Sequence, residues 1–187
     1  METPADIDTQ KKYTSDLSLW LDEYDDIYSD FDSRNYLRRR VSSDFTEELR
    51  QALKNRNGAI NELVLSLPAQ KRDAGTEQKI MQSLGAYFNR EQLLFRKKYV
   101  AGIKKGILLF FIAVSIMVIN AVVSLQLLDN LLSSIIRILL EPSGWFLMWV
   151  SFDILYYDLK EVKKEKCFFH ELTKLKIYFQ SSDLYKI

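Results

Sequence analysis

The chain has 187 residues, with 26 Lys plus Arg against 25 Asp plus Glu, a length that allows one modest domain or a small domain plus membrane spans. Net charge near zero, with basic residues set among acidic neighbours, excludes an argument for nucleic-acid binding from charge. Cys167 is the only cysteine, which excludes an intrachain disulfide and a cysteine-built zinc site.

Charge is segregated along the chain. Residues 1–33 carry ten acidic side chains and two basic ones, Lys11 and Lys12, whereas residues 34–56 carry Arg34, Arg38, Arg39, Arg40, Arg50, Lys54 and Arg56. The opening METPAD has neither the basic start nor the apolar core of a cleavable signal peptide, so the first hydrophobic segment is expected to act as the insertion signal. Residues 1–40 read as an acidic arm punctuated by aromatic groups. Leu17, Trp20, Leu21, Tyr24, Ile27 and Tyr28 follow helical spacing and predict a short amphipathic helix. So many large apolar groups argue against a solvated tail, and the arm is expected to dock on its own domain or on a partner. Trp20, Tyr24, Asp25, Asp26, Tyr28, Asp30 and Asp32 are the candidate partner-binding residues. A calcium loop starting at Asp26 would need Gly and Glu where Phe31 and Leu37 stand. Contact between the acids and Arg38, Arg39 and Arg40 is expected instead.

Asp44 and Glu47 resemble a capping box and predict a helix to about Arg56, ended by Asn57 and Gly58. In residues 60–67, Leu63, Leu65 and Leu67 alternate with Val64 and Ser66, which predicts a strand stopped by Pro68. Thr76 is placed to cap the next helix, with Ile80, Leu84, Tyr87, Phe88 and Phe95 along one stripe. No strong breaker precedes Gly102, so this helix is expected to continue into the hydrophobic segment as one rod.

Residues 106–128 form an uncharged run of 23 residues between Lys105 and Asp129, about 35 Å as a helix and enough to cross a hydrocarbon core. The second run, about 131–157, is interrupted by Arg137, Glu141 and Asp153. Only Asp129 and Asn130 separate the two runs, which forces an antiparallel hairpin if both cross. Pro142 suits a first helical turn, so the second crossing is expected either from residue 131 or from near Pro142, with 131–140 then in the interface. Arg96, Lys97, Lys98, Lys104 and Lys105 precede the first run; Lys160, Lys163, Lys164 and Lys166 follow the second. The positive-inside rule then places both termini in the cytoplasm, with Tyr156 and Tyr157 in an interfacial aromatic belt.

Residues 158–172 look helical and cationic, and Leu175, Ile177 and Phe179 alternate as a strand. A lone strand is unstable, so 175–179 is expected to pair with 60–67. The fold class expected is therefore an α+β membrane protein: a two-helix transmembrane hairpin (106–157) and a small cytoplasmic α+β domain built from 41–105 and 158–187, preceded by the arm at 1–40.

Charge inside a membrane costs roughly 2.5–3.5 kcal/mol at its centre, which singles out Glu141. Arg137 lies one turn earlier and Asn120 at similar depth, so pairing among the three is expected to lock the hairpin or an oligomer contact. Trp145 and Trp149 share a face with Phe152 and Asp153, and read as packing or lipid contacts. Cys167 and His170 lack an orienting acid and a pocket. With no glycine-rich phosphate loop and no metal-ligand cluster, no catalytic residue, cofactor or metal is expected.

Three stretches carry a resemblance: YDDIYSDFD at 24–32, ELVLSLP at 62–68, and EPSGWFLMW at 141–149 with Asp153. Through them the chain resembles a group of small bacterial membrane proteins of unassigned function. The resemblance implies two spans with cytoplasmic flanks, brings no activity, and would make Glu141, Pro142, Gly144, Trp145 and Trp149 a signature of the group. The hairpin is expected to fix the chain in a bacterial inner membrane. The function expected is a membrane-anchored interaction, regulatory or scaffold module, not an enzyme. Its partners would be the lipid bilayer and a protein at the cytoplasmic face. The alternative is an oligomeric channel or transporter component using Glu141 and Asn120, as a homo-oligomer.

Overall fold

Residues 62–67 are buried at five successive positions, from Leu63 to Leu67, which a strand achieves only when both faces of its sheet are covered. In the computed structural model, which describes residues 17–54, 61–125 and 131–181, β2 (Glu62–Leu67) is the central strand of a three-stranded sheet. It is flanked by β1 (Ser18–Trp20) and β3 (Lys176–Ser181), both parallel to it. Leu65 pairs with Leu19 on one side and Phe179 on the other. The pairing expected between 60–67 and 175–179 is present, as Glu62–Leu67 against Lys176–Ser181. In β2, however, Val64 and Ser66 are buried as well as the alternating leucines.

The chain falls into two compact units, one holding the described residues up to Arg90 together with those from Phe168 onward, the other Glu91–Cys167. In the first, the stretch expected to be a helix over 17–28 is β1 followed by a 3₁₀ turn, Tyr24–Ile27. The reason lies in competing hydrogen bonds. Val64 N–H donates to Leu17 O and Leu21 N–H to Ser66 O, both at 2.9 Å, while Asp26 Oδ2 accepts the N–H groups of Asp22 and Glu23 and draws the chain into a turn. Leu17, Leu21, Ile27 and Tyr28 are buried, so the acidic stretch docks on its own unit.

Helix α1 (Ser43–Lys54) buries Phe45, Leu49 and Leu53, one stripe at four-residue spacing. Its start is organised by Ser42, whose Oγ accepts Asp44 N–H at 3.2 Å, in place of the expected box at Asp44. The expected stop at Asn57 and Gly58 lies outside the described residues, as do residues 1–16 of the arm and the turn residues Asp129 and Asn130. Helix α2 (Ala74–Leu125) is the expected uninterrupted rod. Asp73, not Thr76, caps it, its carboxylate accepting Thr76 N–H at 2.8 Å. Ile80, Leu84 and Phe88 are its buried stripe in this unit.

The second unit contains the rest of α2, then α3 (Leu131–Asp153), one π-helical turn (Ile154–Asp158) and the start of α4 (Leu159–Leu172). Pro142 lies inside α3 instead of at a first turn, and the helix continues through it. Helix α2 packs antiparallel against this run through small residues. A methyl group on Gly102 would fall 2.7 Å from Leu159 Cδ2, one on Gly106 2.6 Å from Leu155 Cγ, and one on Gly144 2.7 Å from Met117 Cγ. Ser151 Oγ, buried, donates to Gly106 O at 2.8 Å. Two helical runs, Ala74–Leu125 and Ser134–Leu172, are long and apolar enough to cross a membrane, and only 11 % and 17 % of their most apolar windows is buried within the protein.

Candidate functional site

An antiparallel bridge between Tyr28 and Val41 pinches off a loop over residues 29–40. Ser29 N–H donates to Arg40 O and Ser42 N–H to Ile27 O at its neck. Within it Asn35 makes the turn, its carbonyl accepting the N–H groups of Arg38 and Arg39. Asp32 is the loop's internal anchor. Its two oxygens accept Arg34 Nε at 2.8 Å and Nη2 at 2.7 Å, and Oδ2 also accepts Arg40 N–H at 2.8 Å. The Arg34 guanidinium, with the Arg40 amide, holds the Asp32 carboxyl well below the usual carboxylate range.

Arg39 turns inward. Its side chain is 11 % exposed, with Nη1 2.6 Å from Asp25 Oδ1, and its guanidinium carbon lies 5.6 Å and 6.0 Å from the Tyr28 and Tyr36 ring centroids. Its Nε is buried without a hydrogen-bond partner. Tyr36 donates to Asp25 Oδ1 at 3.0 Å. Burial raises the phenols of Tyr24, Tyr28 and Tyr36 above their ordinary value.

Beside the loop, α2 contributes Ser83, Ala86, Tyr87 and Arg90, whose spacing puts them on one helix face. Loop and helix together line a half-open cavity of about 320 Å³. The loop lines it with Leu37 and four guanidinium side chains, those of Arg34, Arg38, Arg39 and Arg40. Arg90 packs over the Tyr87 ring, 5.6 Å from its centroid. Arg40 Nη2 donates to Ser29 Oγ at 3.2 Å.

A second network ties the sheet to the start of α2. Glu77, buried, accepts Arg72 Nε at 2.7 Å and Nη2 at 3.0 Å, and the Tyr24 hydroxyl at 3.1 Å. Arg72 Nη2 also donates to Phe179 O of β3, and Tyr24 Oη accepts Asp73 N–H.

The candidate partner-binding residues thus divide. Asp25 and Asp32 are bound to arginines, Asp26 closes a turn, Tyr28 is core and Tyr24 belongs to the Glu77 network. Trp20, at 62 %, and Asp30 remain exposed; so does Phe31, at 95 %, which is outside the expected set. In the apolar helices, Asn120 Oδ1 and Arg137 Nε are buried and without a partner. Glu141, Trp145, Trp149 and Asp153 are exposed. The expected bonds among Asn120, Arg137 and Glu141 are not formed among the described residues. Antiparallel packing does bring the levels of 120 and 141 together, but Glu141 faces outward.

The arginine cavity was not anticipated as a site. Its signal was the density of arginine at 34, 38, 39 and 40, which reads equally as a set of ion pairs until the fold places Ser83, Tyr87 and Arg90 opposite. Among the described residues no three His, Cys, Asp or Glu side chains are grouped to hold a metal. No family model, curated protein or solved structure matches this chain.

Proposed function

We propose that this chain is a membrane-anchored interaction module, with α2 and α3 crossing a bilayer as a hairpin and the sheet unit on the cytoplasmic side of a bacterial inner membrane. The observation that carries this reading is the uncovered apolar surface of both helices. Leu108, Phe111, Val118 and Ile119 on α2, and Ile138, Leu139, Phe146 and Trp149 on α3, all stand exposed. A soluble protein rarely leaves so large an apolar patch in water, whereas hydrocarbon suits it. The 20 residues of α2 from 106 to 125 are about 30 Å long, matching a hydrocarbon core.

Sheet closure supports the topology. Both apolar helices lie in the connection between β2 and β3, and those strands are hydrogen-bonded neighbours. Partners in one ladder sit on one side of a bilayer, so the connection crosses an even number of times. The lysine-rich flanks then favour the cytoplasm for that side. Trp20 and Phe31 supply the exposed aromatic anchors for a protein partner.

The test uses Cys167, the single and exposed cysteine. A membrane-impermeant maleimide should leave it unlabelled on intact cells and label it in inverted vesicles, with the chain retained in the membrane after a carbonate wash. Labelling from outside, or release by carbonate, would overturn the reading.

A second reading is favoured by the polar groups of the hairpin. Exposed Glu141, at the level of Asn120 on the neighbouring helix, suits a channel in which neighbouring copies supply partners for its carboxylate. On that reading Glu141→Gln changes ion flux in reconstituted vesicles. A chain monomeric in lipid and without flux removes it.

A further inference from the structure

We propose that one face of α2 over residues 93–104 is a docking site for the headgroup of an acidic phospholipid. The inference rests on the membrane-anchored reading above, and names the class of lipid and the residues that hold it. Leu93, Arg96, Lys97, Val100, Ala101 and Lys104 line a shallow, open groove of about 420 Å³. Their spacing of three and four residues puts them on one side of the helix. Gly102 and Gly106, which pack closely against Leu159 and Leu155, lie on the opposite side. All six groove residues stand exposed.

The groove is cationic and its charge is not neutralised from within. No acidic residue occurs in the sequence between Glu91 and Asp129. Among the described residues the side chains of Arg96, Lys97 and Lys104 enter no ion pair and no hydrogen bond. Other lysines of this unit are engaged: Lys98 Nζ lies 5.1 Å from the Phe95 ring centroid, and Lys166 Nζ 4.2 Å from that of Tyr99. Three like charges on one face repel one another and the same face of a second copy, whereas an anion joins them.

The continuation of this face selects the kind of anion. Past Lys104 it runs on through Ile107, Leu108 and Phe111, all exposed, and in a bilayer these side chains meet acyl chains. An occupant lying along the whole face is apolar at one end and anionic at the other, as a phospholipid is. Lys104 precedes Gly106 by two residues, about 3 Å along the helix, and stands at the level of the phosphate. Val100 and Ala101 come next and give the headgroup an uncharged floor. Arg96 and Lys97 lie roughly 14–15 Å from Gly106 along the axis. They act through the negative surface potential of the leaflet, which decays over about 8 Å at physiological salt. A zwitterionic lipid brings its own cation and leaves the three charges uncompensated; an acidic lipid compensates them.

The experiment titrates the full chain, in a non-ionic detergent, with phosphatidylglycerol and with phosphatidylcholine, and counts bound lipids by native mass spectrometry. The chain should bind phosphatidylglycerol the more tightly. Lys104→Gln should weaken that binding about fivefold, the contribution of one cation near a lipid surface. Adding Arg96→Gln and Lys97→Gln should take the loss beyond about tenfold, while phosphatidylcholine binding stays as it was. Two further variants separate site from bulk charge and from folding. Lys160→Gln with Lys163→Gln and Lys164→Gln removes as much charge from α4 and should keep the preference. Arg96→Lys with Lys97→Arg and Lys104→Arg keeps the charge and should keep the preference too. No preference for the acidic lipid, an equal loss in the α4 variant, or displacement of the lipid by a glutamate-rich helical peptide at lower concentration would overturn the proposal, the last in favour of a protein occupant. A carbonate wash of the same membranes distinguishes the two readings. Release of the chain sinks the anchor and this site with it; retention without the lipid preference sinks this site alone.

Discussion

Asp32 shows how one side chain carries a loop. It accepts from the Arg34 guanidinium and from the Arg40 backbone while lying between the two, so its charge sets the shape of the 29–40 segment. Its folded-state pKa is depressed by the Arg34 pair. The stabilisation is therefore present above the unfolded aspartate value of about 3.9, and is lost as pH falls through the lower folded value. We expect carbon-detected NMR to show the Asp32 carboxyl still ionised at a pH where free aspartate is mostly protonated. Asp32→Asn should abolish that titration and increase hydrogen exchange at Arg40 N–H. An ordinary aspartate titration would contradict the loop geometry. The attraction of the acids for the Arg38–Arg40 run, met by the Arg39 side chain, is legible in the sequence as an acidic stretch followed by a basic one. Which acid meets which arginine is not, because those partners lie many residues apart: Asp25 reaches Arg39, and Asp32 the amide of Arg40.

At the scale of the element, glycine positions on one helix have opposite consequences. Gly106 faces Leu155 so closely that an added methyl would meet its branch carbon at 2.6 Å. Gly85 has nothing within 4 Å of the same position. Gly106→Ala should therefore destabilise the helix pair by about 1–3 kcal/mol through overpacking. Gly144→Ala should cost less, since the Met117 side chain that it meets is flexible. Gly85→Ala should stabilise by about 1 kcal/mol through helix propensity. Thermal unfolding of the three variants in one detergent checks the order, and equal shifts would refute it. The helices were readable in advance because periodicity and apolar length are local properties. The 17–28 segment was misread as helix because its helical spacing is outweighed by a ladder to β2, which depends on a strand more than forty residues away.

At the scale of the molecule, the two compact units divide the chain so that residues from both ends build one of them. Leu65 is fully buried at the centre of the sheet. Leu65→Asp places an unpaired charge there and should cost more than about 4 kcal/mol. Unit one should then lose hydrogen-exchange protection while residues 91–167 keep theirs, since their packing rests on Gly102, Gly106, Gly144 and Ser151. Loss of protection throughout would show that the units unfold as one. By itself the sequence determined the two long apolar helices, the strand within 60–67 and its partner near 175–179, because hydrophobic period and run length are written residue by residue. Only the tertiary structure decided that the sheet is parallel, that the acidic stretch supplies its third strand, that Glu141 faces outward, and that a loop and a helix face line a half-open cavity of arginines. Each of these depends on which distant groups compete for the same hydrogen bond or the same buried space, and that competition is resolved only when the chain is folded.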